Sequence, residues 1–168
     1  IVLSNEINKR NMKNVFNLIV LFAFVLCFTS CDDDERTDIP TLPVTPANLN
    51  GTWQLAEWNG QSLAEGTYCY ITFNRKEQTF EIYQKFDSMY ARYITGDFSI
   101  EKDPYLGYVI SGEYDFGNGE WNNDYIVTDL LEVGSIIWTA KDDAGDVSKY
   151  VRCDEVPSKI VEEARVDT

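Results

Sequence analysis

Phe80-Glu81-Ile82-Tyr83-Gln84-Lys85-Phe86 is the stretch whose reading decides the fold. Phe80, Ile82, Gln84 and Phe86 share one face, while Glu81, Tyr83 and Lys85 share the other. That period of two is the mark of a half-buried strand. Working outward, similar runs rich in aromatic and β-branched residues occupy 51–58, 67–74, 78–86, 90–101, 105–115, 124–132, 135–141 and 147–153. Turn signals separate them: Asn59-Gly60, Glu65-Gly66, Asn74-Arg75-Lys76, Asp103-Pro104, Gly117-Asn118-Gly119 and Ala144-Gly145-Asp146. Eight short strands with no helix between them predict an all-β domain, an antiparallel sandwich or an up-and-down barrel. After the last strand, Pro157 to Val166 carries Ile160, Val161 and Ala164 at helical spacing and predicts a short C-terminal helix outside the sheet.

Asn50-Gly51-Thr52-Trp53 opens the first strand and Lys149-Tyr150-Val151-Arg152 closes the last. The pair resembles the lipocalin and wider calycin pattern, in which a Gly-x-Trp on the first strand meets an arginine near the end of the barrel. Tyr125-Ile126-Val127-Thr128-Asp129-Leu130, Ile136-Ile137-Trp138 and Tyr150-Val151-Arg152 are also similar to the last three strands of small lipocalin-like lipoproteins of Bacteroidetes. The resemblance covers about residues 47–153. It implies an eight-stranded antiparallel up-and-down barrel, with Gly51, Trp53 and Arg152 closing one end by a guanidinium over an indole. In such a barrel Cys69 and Cys153 fall at opposite ends. A strand of about eight residues spans roughly 26 Å, while bridged Cα atoms lie only about 4.4–6.8 Å apart, so no disulfide is expected between them.

Before the domain, Val15 to Phe28 is an apolar run preceded by Met12-Lys13 and followed by Thr29-Ser30-Cys31 and Asp32-Asp33-Asp34-Glu35. A positive start, an apolar middle and a small-residue site read as a signal peptide over 1–30, with Met12 as its expected true start. Phe28-Thr29-Ser30-Cys31 resembles a lipobox with Phe28 in place of the usual Leu, which implies that Cys31 becomes a lipidated N-terminus. The Asp32, Asp33, Asp34, Glu35 run is similar to the export signal of surface-displayed lipoproteins of Bacteroidetes. Residues 31–46 then read as an acidic and Pro-rich tether, Pro40 to Pro46 being an extended linker. Residues 47–168 form the barrel domain with its helix. The expected location is the outer membrane or cell surface, with the lipid anchor as the only membrane attachment.

The chain holds 14 Lys and Arg against 28 Asp and Glu, with no His, a net charge of −14. The leader takes Lys9, Arg10, Lys13 and Glu6, so from Cys31 onward 11 basic and 27 acidic residues remain, a net −16. Such a surface repels phosphate backbones, and nucleic acid is not an expected partner. Without histidine the usual general base and common zinc sites are missing, and neither a P-loop nor a dinucleotide glycine pattern is present. No enzymatic activity, metal or cofactor is expected. Asp115-Phe116-Gly117-Asn118-Gly119-Glu120, continuing to Asp124, offers oxygen ligands but reads better as a long hairpin turn.

The resemblance leaves a binding module as the expected role. Alternation selects Trp53, Leu55, Ile71, Phe73, Phe80, Ile82, Phe98, Ile100, Tyr108 and Ile110 as inward-facing. Of these, Leu55, Ile71, Phe73, Phe80, Ile82, Phe98, Tyr108 and Ile110 are the expected contacts for a small apolar or amphipathic ligand. The rival expectation is a filled barrel that meets another envelope protein or a glycan through its outer face, for example at Tyr83. A cavity of about 300 Å³ or more would favour the ligand carrier. The protein is read as a monomer.

Overall fold

A computed structural model describes residues 39–86 and 88–166; the expected signal peptide over 1–30, Cys31 and the Asp32–Glu35 run lie outside the described residues. The described chain begins with a one-turn helix α1 (Pro46–Leu49). It continues through β1 (Gly51–Trp58), β2 (Gln61–Ser62), β3 (Tyr68–Asn74), β4 (Thr79–Lys85), β5 (Arg92–Asp103) and β6 (Gly107–Tyr114). After a 3₁₀ turn at Asp115–Gly117 come β7 (Tyr125–Leu131), β8 (Ser135–Ala140) and β9 (Val147–Cys153), then helix α2 (Ser158–Glu163) and β10 (Arg165–Val166).

The stretch around Phe80 forms β4, paired with β3 and β5 in unbroken antiparallel register. From β3 to β9 each strand pairs antiparallel with the next, β1 pairs with β3, and β9 returns to β1 through Trp53↔Arg152 and Leu55↔Tyr150. The result is the expected closed eight-stranded up-and-down barrel, with β2 and β10 as additions. Closure leaves no long edge among the eight strands to recruit another chain. Short β2 exists because Asn59 (φ 51°) and Gly60 (φ 73°) turn the end of β1 back on itself, as a two-residue Asn-Gly hairpin does.

Two parts of the chain depart from expectation. The C-terminal helix is shorter than 157–166: Ala164 leaves helical geometry and Arg165–Val166 pairs parallel with Arg92–Tyr93 of β5. The cause is a length mismatch. β6 reaches β5 only from Gly96 onward, and β10 takes the place of β6 beside Arg92 and Tyr93. The Pro-rich stretch, expected as an extended linker, is docked: Thr41 bridges Leu131, the Leu42 N–H donates to the Leu130 carbonyl at 2.7 Å, and Val44 is 4% exposed. Leu42 and Val44 are apolar enough for burial to outweigh an extended, solvated path.

The ten residues expected to face inward all join one core. Ile100 and Tyr108 are partly buried against it, and the other eight belong to its buried cluster. Cys69 pairs with Gln84 towards one end of the barrel and Cys153 with Thr52 at the other, and they are not bridged. Among the described residues no helix is long and apolar enough to cross a membrane.

Candidate binding site

One end of the barrel is sealed by residues that sequence spacing brings to facing positions on β1 and β9. Trp53 is 1% exposed and its indole N–H donates to the Leu49 carbonyl at 2.8 Å. The Arg152 guanidinium lies 4.2 Å from the centre of that ring and donates to the Asn50 and Asn48 carbonyls, both at 2.7 Å. One side chain thus satisfies the orphan carbonyls around the end of α1 and adds a cation–π contact of about 0.5–1 kcal/mol at an exposed site. Gly51 must be glycine for two reasons: its φ is +109°, and a Cβ there would sit 3.0 Å from Arg152 Nη1.

The other end keeps a cavity, smaller than the roughly 300 Å³ that would favour a ligand carrier. A cavity of about 140 Å³ is lined by Cys69 and Ile71 of β3, Ile82 and Gln84 of β4, and Tyr114 of β6. Trp121 and Asn122 of the following loop, Tyr125, Trp138, Ser148 and Tyr150 complete it. Its walls are a connected set of rings. Trp138 lies 4.9 Å from Tyr150, 5.6 Å from Tyr125 and 5.9 Å from Trp121 between centroids, and Trp121 lies 5.1 Å from Phe80 beneath it. The indole N–H groups of Trp121 and Trp138 are buried without a hydrogen-bond partner among the described residues. Such an orphaned donor costs about 1–3 kcal/mol.

The closed antiparallel sheet, the Trp53–Arg152 seal and the open opposite end agree with the comparison by sequence, in which residues 49–138 match the family described as lipocalin-like domain. The chain belongs to this family. No curated protein matches the chain, and no solved structure matches it. The matched region stops at Trp138, yet the lipocalin-like barrel closes only through β9, which brings Arg152 to Trp53. A barrel of this kind fits a binding role.

Within the lipocalin-like domain, Ile71 and Ile82 are the members of the expected contact set that line the cavity. Leu55, Phe73, Phe80, Phe98 and Ile110 are buried in the core cluster, and Tyr108 packs against it. The aromatic half of the site lies outside the contact set that alternation selects, although Tyr114, Trp121, Tyr125 and Trp138 are among the aromatics that the sequence offers to line or fill a barrel. Trp121 sits in a loop, where alternation says nothing, but Gly112 was a readable signal. A glycine inside a strand marks a close approach, and here a Cβ on Gly112 would run into the Trp121 indole. The expected exposed tyrosine patch is half-buried instead: Tyr70, Tyr83 and Tyr93 are cross-strand neighbours on the outer face, and Tyr70 is only 7% exposed.

A larger hollow of about 360 Å³ lies outside the lipocalin-like barrel, where β7 parts from β6, and Asp97, Glu113, Glu120 and Asp124 border it. The smaller one is the candidate binding site, because aromatic rings wall it, Trp138 and Tyr150 among them buried, whereas the outer groove is bordered by carboxylates. The 115–124 segment forms the expected turn, with the Tyr114 backbone N–H donating to the Gly119 carbonyl and the Trp121 backbone N–H to the Gly112 carbonyl. Among the described residues no group of three or more acidic or cysteine side chains is placed to hold a metal ion.

Burial pushes the Tyr93 phenol up to about 12, helped by the Glu81 carboxylate and Tyr83, and burial pushes Tyr150 well above its usual value, with the Cys69 thiol next in effect. A phenol raised in the folded chain holds its proton more tightly there. Its contribution is complete below the unfolded value of about 10 and is lost as pH rises through the folded value. Urea midpoints are therefore expected to hold steady up to about pH 10 and fall steeply towards about pH 12. A Tyr93→Phe variant should lose less over that interval than the parent; an equal loss would refute the role of Tyr93.

Proposed function

We propose that the protein is a lipoprotein of the Bacteroidetes type, processed before Cys31 and held by lipid at the outer membrane or cell surface. Its barrel acts as a monomeric binder of a small ligand. The observation that carries the binding half is the asymmetry of the barrel: Trp53 and Arg152 seal one end, while the other keeps a cavity with aromatic walls and polar groups from Gln84, Asn122 and Ser148. Few, placed polar groups on an apolar wall are what small-molecule sites use to orient a ligand. The anchoring half rests on the order of charges, apolar run, Thr29-Ser30-Cys31 and acids. Acyl chains contribute about 0.8 kcal/mol per buried methylene, and more than one chain gives stable attachment.

Mass spectrometry of the protein recovered from its own cells tests both halves. Under denaturing conditions the expected mass begins at an acylated Cys31, and a protein still carrying residues 1–30 would overturn the anchor. Under native conditions an additional small mass, released on unfolding, is expected. Protein that never carries one, even after incubation with host extract, would overturn the binder.

A further inference from the structure

We infer that the sealed end of the barrel rests on a phospholipid surface through the tips of two neighbouring hairpins, Tyr105-Leu106 and Val133, and that the mouth faces away from the membrane. This rests on the anchoring half of the proposed function and goes beyond it. Position of the tether comes first. The docked segment runs beside the end of β7, where Thr41 bridges Leu131 and the Glu132 N–H donates to the Pro40 carbonyl at 3.1 Å. Ile39 therefore leaves the domain at the β7–β8 turn. That turn lies at the end that Trp53 and Arg152 seal, since the Arg152 backbone N–H donates to the Gly134 carbonyl at 2.7 Å. Ile39 stands eight residues on from Cys31, and eight residues reach about 26–29 Å at most. A wall strand such as β1 spans roughly 26 Å between the sealed end and the mouth. An anchor at Cys31 thus sets the sealed end on the membrane with slack to spare. A mouth-down pose needs nearly the whole reach stretched back along the wall.

What projects from that end comes second. β5 and β6 turn between Asp103 and Gly107, and β7 and β8 turn between Leu131 and Ser135. Because β6 and β7 are antiparallel neighbours, with Tyr108 opposite Val127, both turns lie on one rim. Tyr105 is 93% exposed and Val133 71%, and Leu106 and Ile39 are exposed as well. The first tip is held in place by the Asp103 carboxylate, which accepts the backbone N–H groups of Tyr105 and Leu106 at 2.7 and 2.9 Å. A tyrosine on a fixed turn suits a lipid interface, its ring towards the acyl chains and its hydroxyl at the headgroups. Single exposed apolar residues carry no message by themselves, and the mouth rim has its own in Met89 and Phe116. The tether is what separates the two ends. A short connection holds the sealed end near the lipid at an effective concentration of order millimolar, so a contact too weak to recruit a free domain becomes populated. Glu101, Asp103 and Glu132 stand on the same two hairpins, and with the net −14 they select neutral over anionic headgroups. A ligand then enters the mouth from the aqueous side.

Hydroxyl-radical footprinting of the protein purified from its own membranes and reconstituted into phosphatidylcholine vesicles tests the pose. Oxidation of each residue is compared with that in the same protein unfolded in urea, and denaturing mass spectrometry of the same sample reports the acylation of Cys31. In water Tyr105, Met89 and Phe116 would all oxidise nearly as fast as in the unfolded chain, because all three are largely exposed. On vesicles Tyr105 and Leu106 are expected to slow about fivefold, as for a contact populated about four-fifths of the time. Met89 and Phe116 should stay near their unfolded rates. Replacing both exposed tip residues, Tyr105→Ser with Leu106→Ser, should leave the circular dichroism spectrum unchanged and return Val133 towards its unfolded rate. Acylated protein in which Tyr105 oxidises as fast as Phe116, or in which Met89 and Phe116 are the protected residues, would overturn the pose and leave the anchor standing. Unaltered protection of Val133 in the double variant would refute the contact through the β5–β6 tip. Stronger protection on phosphatidylglycerol vesicles would rule out the preference for a neutral surface. A Cys31 without acyl chains would remove the anchor, and the pose with it.

Discussion

Trp53→Ala is expected to lower the stability of the domain by about 3–5 kcal/mol, the range for removing a buried tryptophan from a core. Trp53 is among the largest fully buried side chains, and three separate contacts end on it. Its ring fills the sealed end, its N–H satisfies Leu49, and its face receives Arg152. Small domains have only about 5–15 kcal/mol in total, so the variant should unfold at a far lower urea concentration or fail to fold cooperatively at ambient temperature. Trp53→Phe keeps most of the buried area and should show a smaller loss, mainly the orphaned Leu49 carbonyl at about 1–3 kcal/mol. Arg152→Met removes the cation–π contact and two hydrogen bonds from a solvent-facing position and should fall below the tryptophan truncation. Equilibrium urea unfolding of the three variants checks the order. A Trp53→Ala midpoint close to the parent's would mean that the seal contributes little.

Gly96→Ala should have the second-largest effect, about 1–3 kcal/mol or more, although it adds only one methyl group. Gly96 is paired with Phe80 on one side and Tyr114 on the other. A Cβ there would overlap the Glu113 carbonyl oxygen and approach Phe80 Cζ and Cε1 at 2.7 and 2.9 Å. The Phe80 ring could turn aside; the carbonyl belongs to β6 and could shift only by disturbing the β5–β6 ladder. Because Phe80 supports Trp121 at 5.1 Å, the disturbance reaches the cavity as well. The expected result is a lower thermal midpoint accompanied by a weaker near-ultraviolet tryptophan signal. A stable variant with an unchanged signal would show that β5 and β6 part without cost. Gly112→Ala gives a useful contrast: its clash is with the Trp121 side chain in a loop, so it should perturb the mouth more than the global stability.

The barrel was legible because its information is local. Two-residue alternation in β4 sets which side chains enter the core, and Asn59-Gly60 turns the chain where β1 ends. Gly51, Trp53 and Arg152 were legible through resemblance, and the geometry supplies the reason, a positive φ beneath a guanidinium that needs the space. The site was less legible. Ile71 and Ile82 follow from alternation, but Trp121, Trp138 and Tyr150 converge from a loop and two strands that no sequence period relates.

Sequence by itself determined the barrel strands and their inward faces, since each depends on spacing along the chain and on local conformational preference, while the sealing pair and the separation of Cys69 from Cys153 were what the family resemblance implied. Only the tertiary structure decided how far the barrel is filled, where Leu42 and Val44 dock, and that β10 covers the overhang of β5. Those outcomes depend on mismatches between strand lengths and on volumes summed over residues distant in sequence. Whether eight inward faces leave room for a ligand is such a sum, and it leaves about 140 Å³ bounded by rings.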